Sequence, residues 1–254
     1  MRIARVGIVV AALVAGAQLT LAGGAAASGS LSVHASFSPD VLGAATNLSL
    51  SSSIVAGGAG VPPPVARVTL YAPAGIEVDA RGAGTCAAVK LEQYGPSGCP
   101  IDSRAGFGGG VGVLELPTET IHEPYTLDFF FAGGGRGHLS FLVYASATAP
   151  VSDQLVLVAK QVPAPKPYGL GFSVEVPPIS TFPGAGEASI ESAFVTVGAP
   201  NVAYYESVHG RRKLVHLRGV VVPRRCPAGG FPFAGIVDFA DGSALNVEST
   251  IACP

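Results

Sequence analysis

Tryptophan is absent from this sequence of 254 residues, methionine occurs once, and charged residues make up only 13% of the chain. So little charge argues against a helical protein, because amphipathic helices need charged and polar residues on their solvent face. The 34 glycines and 21 prolines argue the same way, since they are the poorest helix formers. The 48% of hydrophobic residues argues against a disordered chain, and the net charge of −2 lacks the basic excess typical of nucleic-acid binding. We therefore predict a globular all-β protein with little helix and no nucleic-acid partner.

The first 27 residues have the three parts of a secretory signal peptide. Arg2 and Arg5 give a positive start, an apolar run covers 6–17, and a run of three alanines ends at Ala27. We predict a signal peptide at 1–27 and a mature chain that is secreted, extracellular or held non-covalently at the cell envelope. The alternative is an uncleaved anchor, but the apolar core is shorter than the ~20 residues that span a bilayer, and the mature chain has no candidate transmembrane segment. Removal of this segment leaves 13 basic and 17 acidic side chains, a net charge of −4.

All four cysteines, Cys86, Cys99, Cys226 and Cys253, lie in the predicted mature chain. An oxidising compartment makes disulfides the default, and four cysteines permit three connectivities. We favour Cys86–Cys99 and Cys226–Cys253, because each bridge closes a modest loop within one half of the chain. A metal site is the alternative, but the sequence has no C-x-x-C and no histidine at zinc-ligand spacing from a cysteine pair. We therefore expect structural disulfides, no metal and no cofactor.

Short runs of alternating polar and apolar residues, separated by glycine and proline, predict antiparallel β-sandwich architecture. Asp241-Gly242 lies between two such runs and predicts a tight hairpin turn, and only 86–93 has room for a helical turn or two. We predict two sandwich domains at 28–115 and 116–254, Ig-like or jelly-roll-like, with a single larger sandwich as the alternative. We interpret the glycine tract at 106–112, near their junction, as turn or sheet-edge glycine.

Motifs for nucleophilic and phosphate chemistry are missing from the sequence. It contains no G-x-S-x-G, no S-x-x-K and no P-loop pattern. His122 and Glu123 are the only adjacent acid and base, and because Pro124 follows them we expect them in a loop. These observations predict a protein without enzymatic activity.

Paired carboxylates supply the one enzymatic alternative. A glycosidase needs two carboxylates about 5–10 Å apart, one as general acid and one as base or nucleophile. Glu77/Asp79 would face the same side of a strand, and Asp238/Asp241 bracket the predicted hairpin turn. The alternative function is therefore an extracellular hydrolase that acts on polysaccharide. Turn chemistry and solvated sheet faces also explain both pairs.

A local excess of positive charge occurs between residues 209 and 225, which contain six basic side chains and no acid. Arg211, Arg212, Lys213 and Arg218 form the candidate surface for an anionic partner, either an envelope polymer, a lipid head group or a protein. Lys and Arg on an exposed edge strand also prevent sheet-to-sheet aggregation, and that is the interpretation we favour from sequence alone.

An ordered set of short strings runs through nearly the whole mature chain. The strings are FSP at 37–39, LG at 42–43, VPPP at 61–64, APAG at 72–75, Cys86, GPSGCP at 95–100, Ser103, VPPI at 176–179, CPAGGFPF at 226–233, FADG at 239–242 and CP at 253–254. In them the chain resembles a family of uncharacterised exported proteins, bearing signal peptides, from high-GC Gram-positive bacteria of the actinobacterial type. The resemblance implies secretion, paired cysteines and β-architecture, and it assigns no catalytic residue.

Together these patterns predict a secreted, disulfide-stapled β-sandwich protein. We expect it to act without catalysis, as a structural or binding module associated with the cell envelope.

Overall fold

The structure is a computed structural model that describes residues 29–58, 60–116, 118–133, 139–150, 152–181, 186–198 and 203–254. The predicted signal peptide at 1–27 lies outside these ranges. Within them, no helix is both long and apolar enough to cross a membrane.

Fifteen strands and one short helix make up the regular structure of the described ranges, apart from two short 3-10 turns. The helix is α1 (Ala88–Tyr94), and the strands are β1 (Gly29–Ser38), β2 (Ala45–Ala56), β3 (Val65–Pro73), β4 (Glu77–Asp79), β5 (Arg104–Glu115), β6 (Thr120–Phe131), β7 (Ser140–Ala147), β8 (Asp153–Val162), β9 (Tyr168–Glu175), β10 (Ser189–Val197), β11 (Ala203–Val208), β12 (Arg211–His216), β13 (Gly219–Val221), β14 (Phe231–Phe239) and β15 (Ala244–Ile251).

Thirteen of these strands form one antiparallel sheet. Its order is β15-β14-β3-β9-β8-β7-β6-β5-β10-β2-β13-β4, and β1 also pairs with β2. β11 and β12 form a separate two-stranded sheet. The predicted all-β fold class is confirmed, as are the short helix in the 86–93 region and the hairpin turn at Asp241-Gly242 between β14 and β15.

The sheet curls into two layers because its strands carry apolar side chains on one face. In β14 every second residue from Phe231 to Phe239 is buried, and the residues between them are less buried. At one side β1 and β2 pack onto β3, β14 and β15. There the Phe37 ring meets Phe231 edge-on at 5.7 Å between centroids and Phe233 at 6.1 Å. This aromatic cluster closes one side of the two-layer structure.

The hydrogen-bonded ladders run across the predicted domain boundary. β2 pairs with β10, β3 pairs with β9 and β14, and β5 pairs with β6 and β10. Strands from 28–115 and from 116–254 therefore alternate within one sheet. The division at residue 115 stays a prediction, but the sheet itself does not part there.

The glycine tract at 106–112 lies in β5, and its interpretation as turn or sheet-edge glycine is wrong. β5 is an inner strand, hydrogen-bonded to β6 on one side and β10 on the other. The close approach of both neighbouring strands explains glycine here: a Cβ added at Gly110 would collide with the Ser192 carbonyl oxygen on β10 and would lie 2.5 Å from the Tyr125 hydroxyl oxygen on β6. Glycine therefore leaves the room that these two oxygens occupy.

Helix α1 covers the outer face of the sheet behind β6, β7 and β8. Its Leu91 is fully buried against Phe130, Leu142 and Tyr144, which point outward from those strands. The Cys86–Cys99 disulfide, with 5.1 Å between its Cα atoms, holds this segment in place. Because the helix packs on the outside, the inner face of the same strands keeps its own apolar side chains free for another role.

The second disulfide joins Cys226 to Cys253, with 5.9 Å between the Cα atoms. It ties the segment that precedes β14 to the segment that follows β15, next to the aromatic cluster. Both favoured cysteine pairings are therefore confirmed, and the cysteines form structural bridges.

Removal of either disulfide should destabilise the protein without changing its fold. By the loop-entropy relation, Cys86→Ala/Cys99→Ala and Cys226→Ala/Cys253→Ala should each lower the free energy of unfolding by about 3–4 kcal/mol. Denaturant titration of each double variant under matched conditions measures the loss. Equal stability of wild type and both double variants would contradict this role.

Candidate functional site

A cavity of about 400 Å³ lies between the two layers and reaches the core that holds the aromatic cluster, because Leu48, Ala72 and Val220 belong to both. Strands β6–β9, β3 and β14 contribute lining residues, as do β1, β2, β5 and β10. Six of the larger side chains that line it are Phe129, Phe141, Leu155, Leu157, Leu170 and Phe172. They point inward because they occupy alternate positions of their strands.

These six side chains are only half-buried, whereas Phe131 and Val143, which also line the cavity, are buried, as are Phe231 and Phe233 of the aromatic cluster. The inner side chains therefore fill the space between the layers unevenly, and part of the apolar lining is not packed against other side chains. Phe141 contacts Phe131 at 5.4 Å and Phe172 at 5.2 Å between ring centroids, so the wall is an aromatic surface as well as an aliphatic one.

Polar lining is sparse, and several of its groups are already hydrogen-bonded. The Tyr125 hydroxyl donates to the Ser192 carbonyl oxygen at 3.0 Å, and burial raises the pKa of this phenol. Ser189 donates to the carbonyl oxygen of Pro62, and the Thr69 hydroxyl lies 3.1 Å from that of Ser173. These groups can stay satisfied when an apolar molecule fills the space.

The charged groups at the cavity are all acidic. Glu123 and Asp153 belong to its lining, and among its described residues there is no lysine, arginine or histidine. Glu123 is buried, and the backbone N–H of Gln154 donates to a carboxylate oxygen of Asp153 at 2.8 Å. The site therefore offers no positive charge to an anionic ligand.

His122 and Glu123 lie in strand β6, and the expectation of a loop is wrong. Residues 120–124 pair with β5 alone, so this stretch is a sheet edge, where Pro124 is tolerated. Neighbouring residues of a strand point to opposite faces. Glu123 faces the cavity, whereas His122 Nδ1 lies 2.8 Å from Glu191 Oε2 on the other side.

The first candidate carboxylate pair is Glu77/Asp79 on β4, outside the cavity lining. The Arg81 guanidinium donates to both Asp79 oxygens at 2.8 and 2.6 Å. These hydrogen bonds lower the pKa of Asp79 from 3.8 to about 2. A carboxyl group held ionised in this way cannot act as the general acid of a glycosidase near neutral pH.

The second candidate pair, Asp238/Asp241, also lies outside the cavity lining. Asp241 accepts hydrogen bonds from the Ser243 N–H at 2.9 Å and the Ser243 hydroxyl at 2.6 Å, and these bonds lower its pKa. Asp238 lies 4.0 Å from the guanidinium of Arg67. Both acids are engaged in turn and surface contacts, so neither pair lends geometric support to the hydrolase alternative.

The candidate basic residues separate into two groups. Arg211, Arg212 and Lys213 are exposed on β12, in the hairpin that stands apart from the main sheet. Arg218 follows β12 and is half-buried, and its guanidinium donates to the Gly43 carbonyl oxygen at 3.2 Å. The structure thus brings Arg211, Arg212 and Lys213 together on β12, and it holds Arg218 against the segment that connects β1 and β2.

Across the part of the chain that is described, no group of three histidine, cysteine or acidic side chains is placed to hold a metal ion.

The cavity was missed by sequence reasoning, although its residues carry a signal. The alternation of Leu31 and Val33 with polar residues indicates an inward face for β1, and both side chains line the cavity. The pattern does not show whether that face meets the opposite layer. The absence of tryptophan is the one hint, since few large side chains are available to fill a wide interior.

The Asp79–Arg81 ion pair should give the protein a defined response to acid. Because the folded-state pKa of Asp79 is lowered, its contribution to stability is present above pH 3.8 and is lost as the pH falls towards about 2. We expect Arg81→Gln to be less stable than wild type above pH 4, and the difference to vanish near pH 2. Unfolding titrations across this range measure it. Lys160→Gln, which removes an exposed cation elsewhere, is the control, and a pH-independent difference for Arg81→Gln would contradict the assignment.

Comparison with known proteins supplies no family for this chain, because no protein-family model, no curated protein and no solved structure matches it. Its function is therefore inferred from the arrangement of its own residues.

Proposed function

We propose that this protein is an exported, non-enzymatic binding module of the cell envelope, and that it holds a neutral apolar ligand in the cavity between its two layers. The observation that carries the proposal is the cavity of about 400 Å³, whose walls are apolar side chains that are only partly buried. Its volume falls within the range of about 300–1,000 Å³ that is usual for small-molecule sites, which are also mostly apolar.

A packing defect does not explain a space of this size. A dry void costs about 24 cal/mol for each Å³, so 400 Å³ would cost about 10 kcal/mol. That equals the whole net stability of many domains, which is about 5–15 kcal/mol. The lining side chains are only partly packed against one another, so the space has room for water, and an apolar ligand gains free energy by displacing that water from the walls.

The charge of the lining selects the ligand class. An anionic head group would meet Glu123 and Asp153 and no positive side chain in the described lining. A molecule rich in polar groups would leave most of them without hydrogen-bond partners, at a cost of about 1–3 kcal/mol for each buried group. A neutral, largely hydrocarbon molecule meets neither penalty.

Two observations support export: the sequence at 1–27 has the organisation of a signal peptide, and two disulfides fit an oxidising compartment. Envelope association is the further part of the proposal that extends the predicted export. The absence of catalysis is part of the proposal. It is supported by the engagement of the candidate acids in contacts away from the cavity.

A larger side chain placed inside the cavity should weaken ligand binding and leave the fold unchanged. Ala145 lines the cavity on β7, opposite Leu127 of β6 and Leu155 of β8. We expect Ala145→Phe to weaken binding of the uncharged fluorophore N-phenyl-1-naphthylamine at least about tenfold, which corresponds to about 1.4 kcal/mol. Fluorescence titration measures the affinity, and thermal unfolding with and without the fluorophore measures the stabilisation that binding confers.

The matched control is Thr126→Phe, which adds the same ring to an exposed, outward-facing position of the adjacent strand. It should bind the fluorophore like wild type. Equal affinities for wild type, Ala145→Phe and Thr126→Phe would place the fluorophore outside the cavity and overturn the proposal.

The acidic lining predicts discrimination by charge between ligands of equal chain length. At neutral pH, 1-dodecanol should displace the fluorophore at a concentration at least about tenfold lower than dodecanoate does, since only the carboxylate meets repulsion. Competition titrations measure both. Preference for dodecanoate would show that a positive group serves the site and would contradict the assignment of a neutral ligand.

A further inference from the structure

The hairpin of β11 and β12 is built as an element of its own. The two strands are joined by His209 and Gly210, which both have positive φ, at 50° and 75°. Such a two-residue turn matches the twist of the paired strands and makes a compact, well-defined hairpin. Its backbone pairing is with itself, separate from the sheet that encloses the cavity.

One face of this hairpin exposes apolar groups. Tyr205 and Leu214 lie directly opposite each other across the two strands and therefore share a face. Their exposed fractions are 62% and 45%. Polar residues would be favoured at these two positions if they stayed in water. Two large apolar side chains side by side therefore indicate a surface that a partner covers.

One cation shares the face of this apolar pair, and two more lie on the opposite face of the hairpin. The Arg212 guanidinium stacks over the Tyr205 ring at 4.7 Å from its centroid, on the same face. Arg211 and Lys213, its neighbours along β12, are exposed and point to the opposite face. The hairpin sequence 203–216 contains these three cations and one acid, Glu206, on a mature chain of net charge −4.

From this arrangement we propose that the β11–β12 hairpin docks on the surface of an anionic lipid bilayer. Tyrosine is enriched at membrane interfaces, where its ring lies among the head groups, and arginine and lysine are attracted to anionic lipids. Leu214 beside Tyr205 supplies apolar area that enters the same interface. The inference goes beyond the proposed function, since it concerns a surface outside the cavity and a different partner.

The apolar pair decides between a bilayer and an anionic polymer. A soluble or wall-bound polyanion would neutralise Arg211, Arg212 and Lys213, but it would leave Tyr205 and Leu214 in water. Protection of an edge strand against aggregation likewise explains the cations and not the exposed pair. A bilayer interface covers the apolar pair together with Arg212, and the charge of its head groups also attracts Arg211 and Lys213 on the other face of the hairpin.

Co-sedimentation with lipid vesicles tests the proposal, using vesicles of phosphatidylcholine alone and vesicles with added phosphatidylglycerol. Wild type should bind the second kind and not the first, and the binding should weaken as salt is raised. The variant Arg211→Glu/Arg212→Glu/Lys213→Glu should bind the anionic vesicles at least about tenfold less tightly. The matched control, Lys90→Glu/Lys160→Glu/Lys166→Glu, makes the same change in net charge at exposed positions elsewhere and should keep the binding.

A second variant, Tyr205→Ser/Leu214→Ser, keeps all three cations and should also bind anionic vesicles at least about tenfold less tightly. If it binds like wild type, or if soluble polyglutamate competes fully with the vesicles, the partner is a polyanion and the bilayer proposal is overturned. Failure of wild type to bind anionic vesicles overturns it as well. Ala145→Phe should bind vesicles normally, so this result and the cavity result are independent.

Discussion

Everything in this fold depends on one constraint: a sheet thirteen strands wide carries an apolar face that has to be removed from water. An antiparallel sheet can expose one face but not both, and here alternate residues of nearly every strand make the inner face apolar. Curling brings that face against itself. Where Phe37, Phe231 and Phe233 meet, the two layers are in full contact. Elsewhere the inner side chains leave space between the layers, and the same constraint produces a cavity.

The inward face of a strand could be predicted from the sequence where polar and apolar side chains alternate. It could not be predicted where glycine takes their place. In β1 the alternation of Leu31, Val33 and Phe37 with polar residues identifies the inward face without reference to any other strand. The five glycines of the 106–112 tract carry no side chains to alternate, and the fit of β5 becomes clear only from the groups on its two neighbours. The basic stretch at 209–225 is not one strand, because β12 ends at His216. The chain leaves the hairpin there and continues as β13, which pairs with β2 and β4.

The candidate sites could be predicted only in part, for a related reason. Cysteine pairing follows from loop length and compartment, so both disulfides were within reach of the sequence. Tyr205 and Leu214 lie opposite each other because of the register of β11 against β12. The two-residue turn fixes that register, and the amino-acid composition does not show it. The cavity depends on the separation of two layers formed by strands far apart in sequence. The curvature of the whole sheet sets the separation of the layers, and no single segment of the sequence determines it.

The order in which the strands pair has a consequence for how the protein is made. β3 is bonded on one side to β9 and on the other to β14, and the Arg67–Glu175 contact joins residues 108 positions apart. Neither layer can be completed until β14 and β15, near the C-terminus, are available. Pairing between distant segments is slow, because the loops must close before any contact forms. The consecutive hairpins of β5 to β9 can pair as they are made, whereas β3 stays unpaired on one side until residues 231–239 are available. The Cys226–Cys253 bridge then joins the two ends of the β14–β15 hairpin.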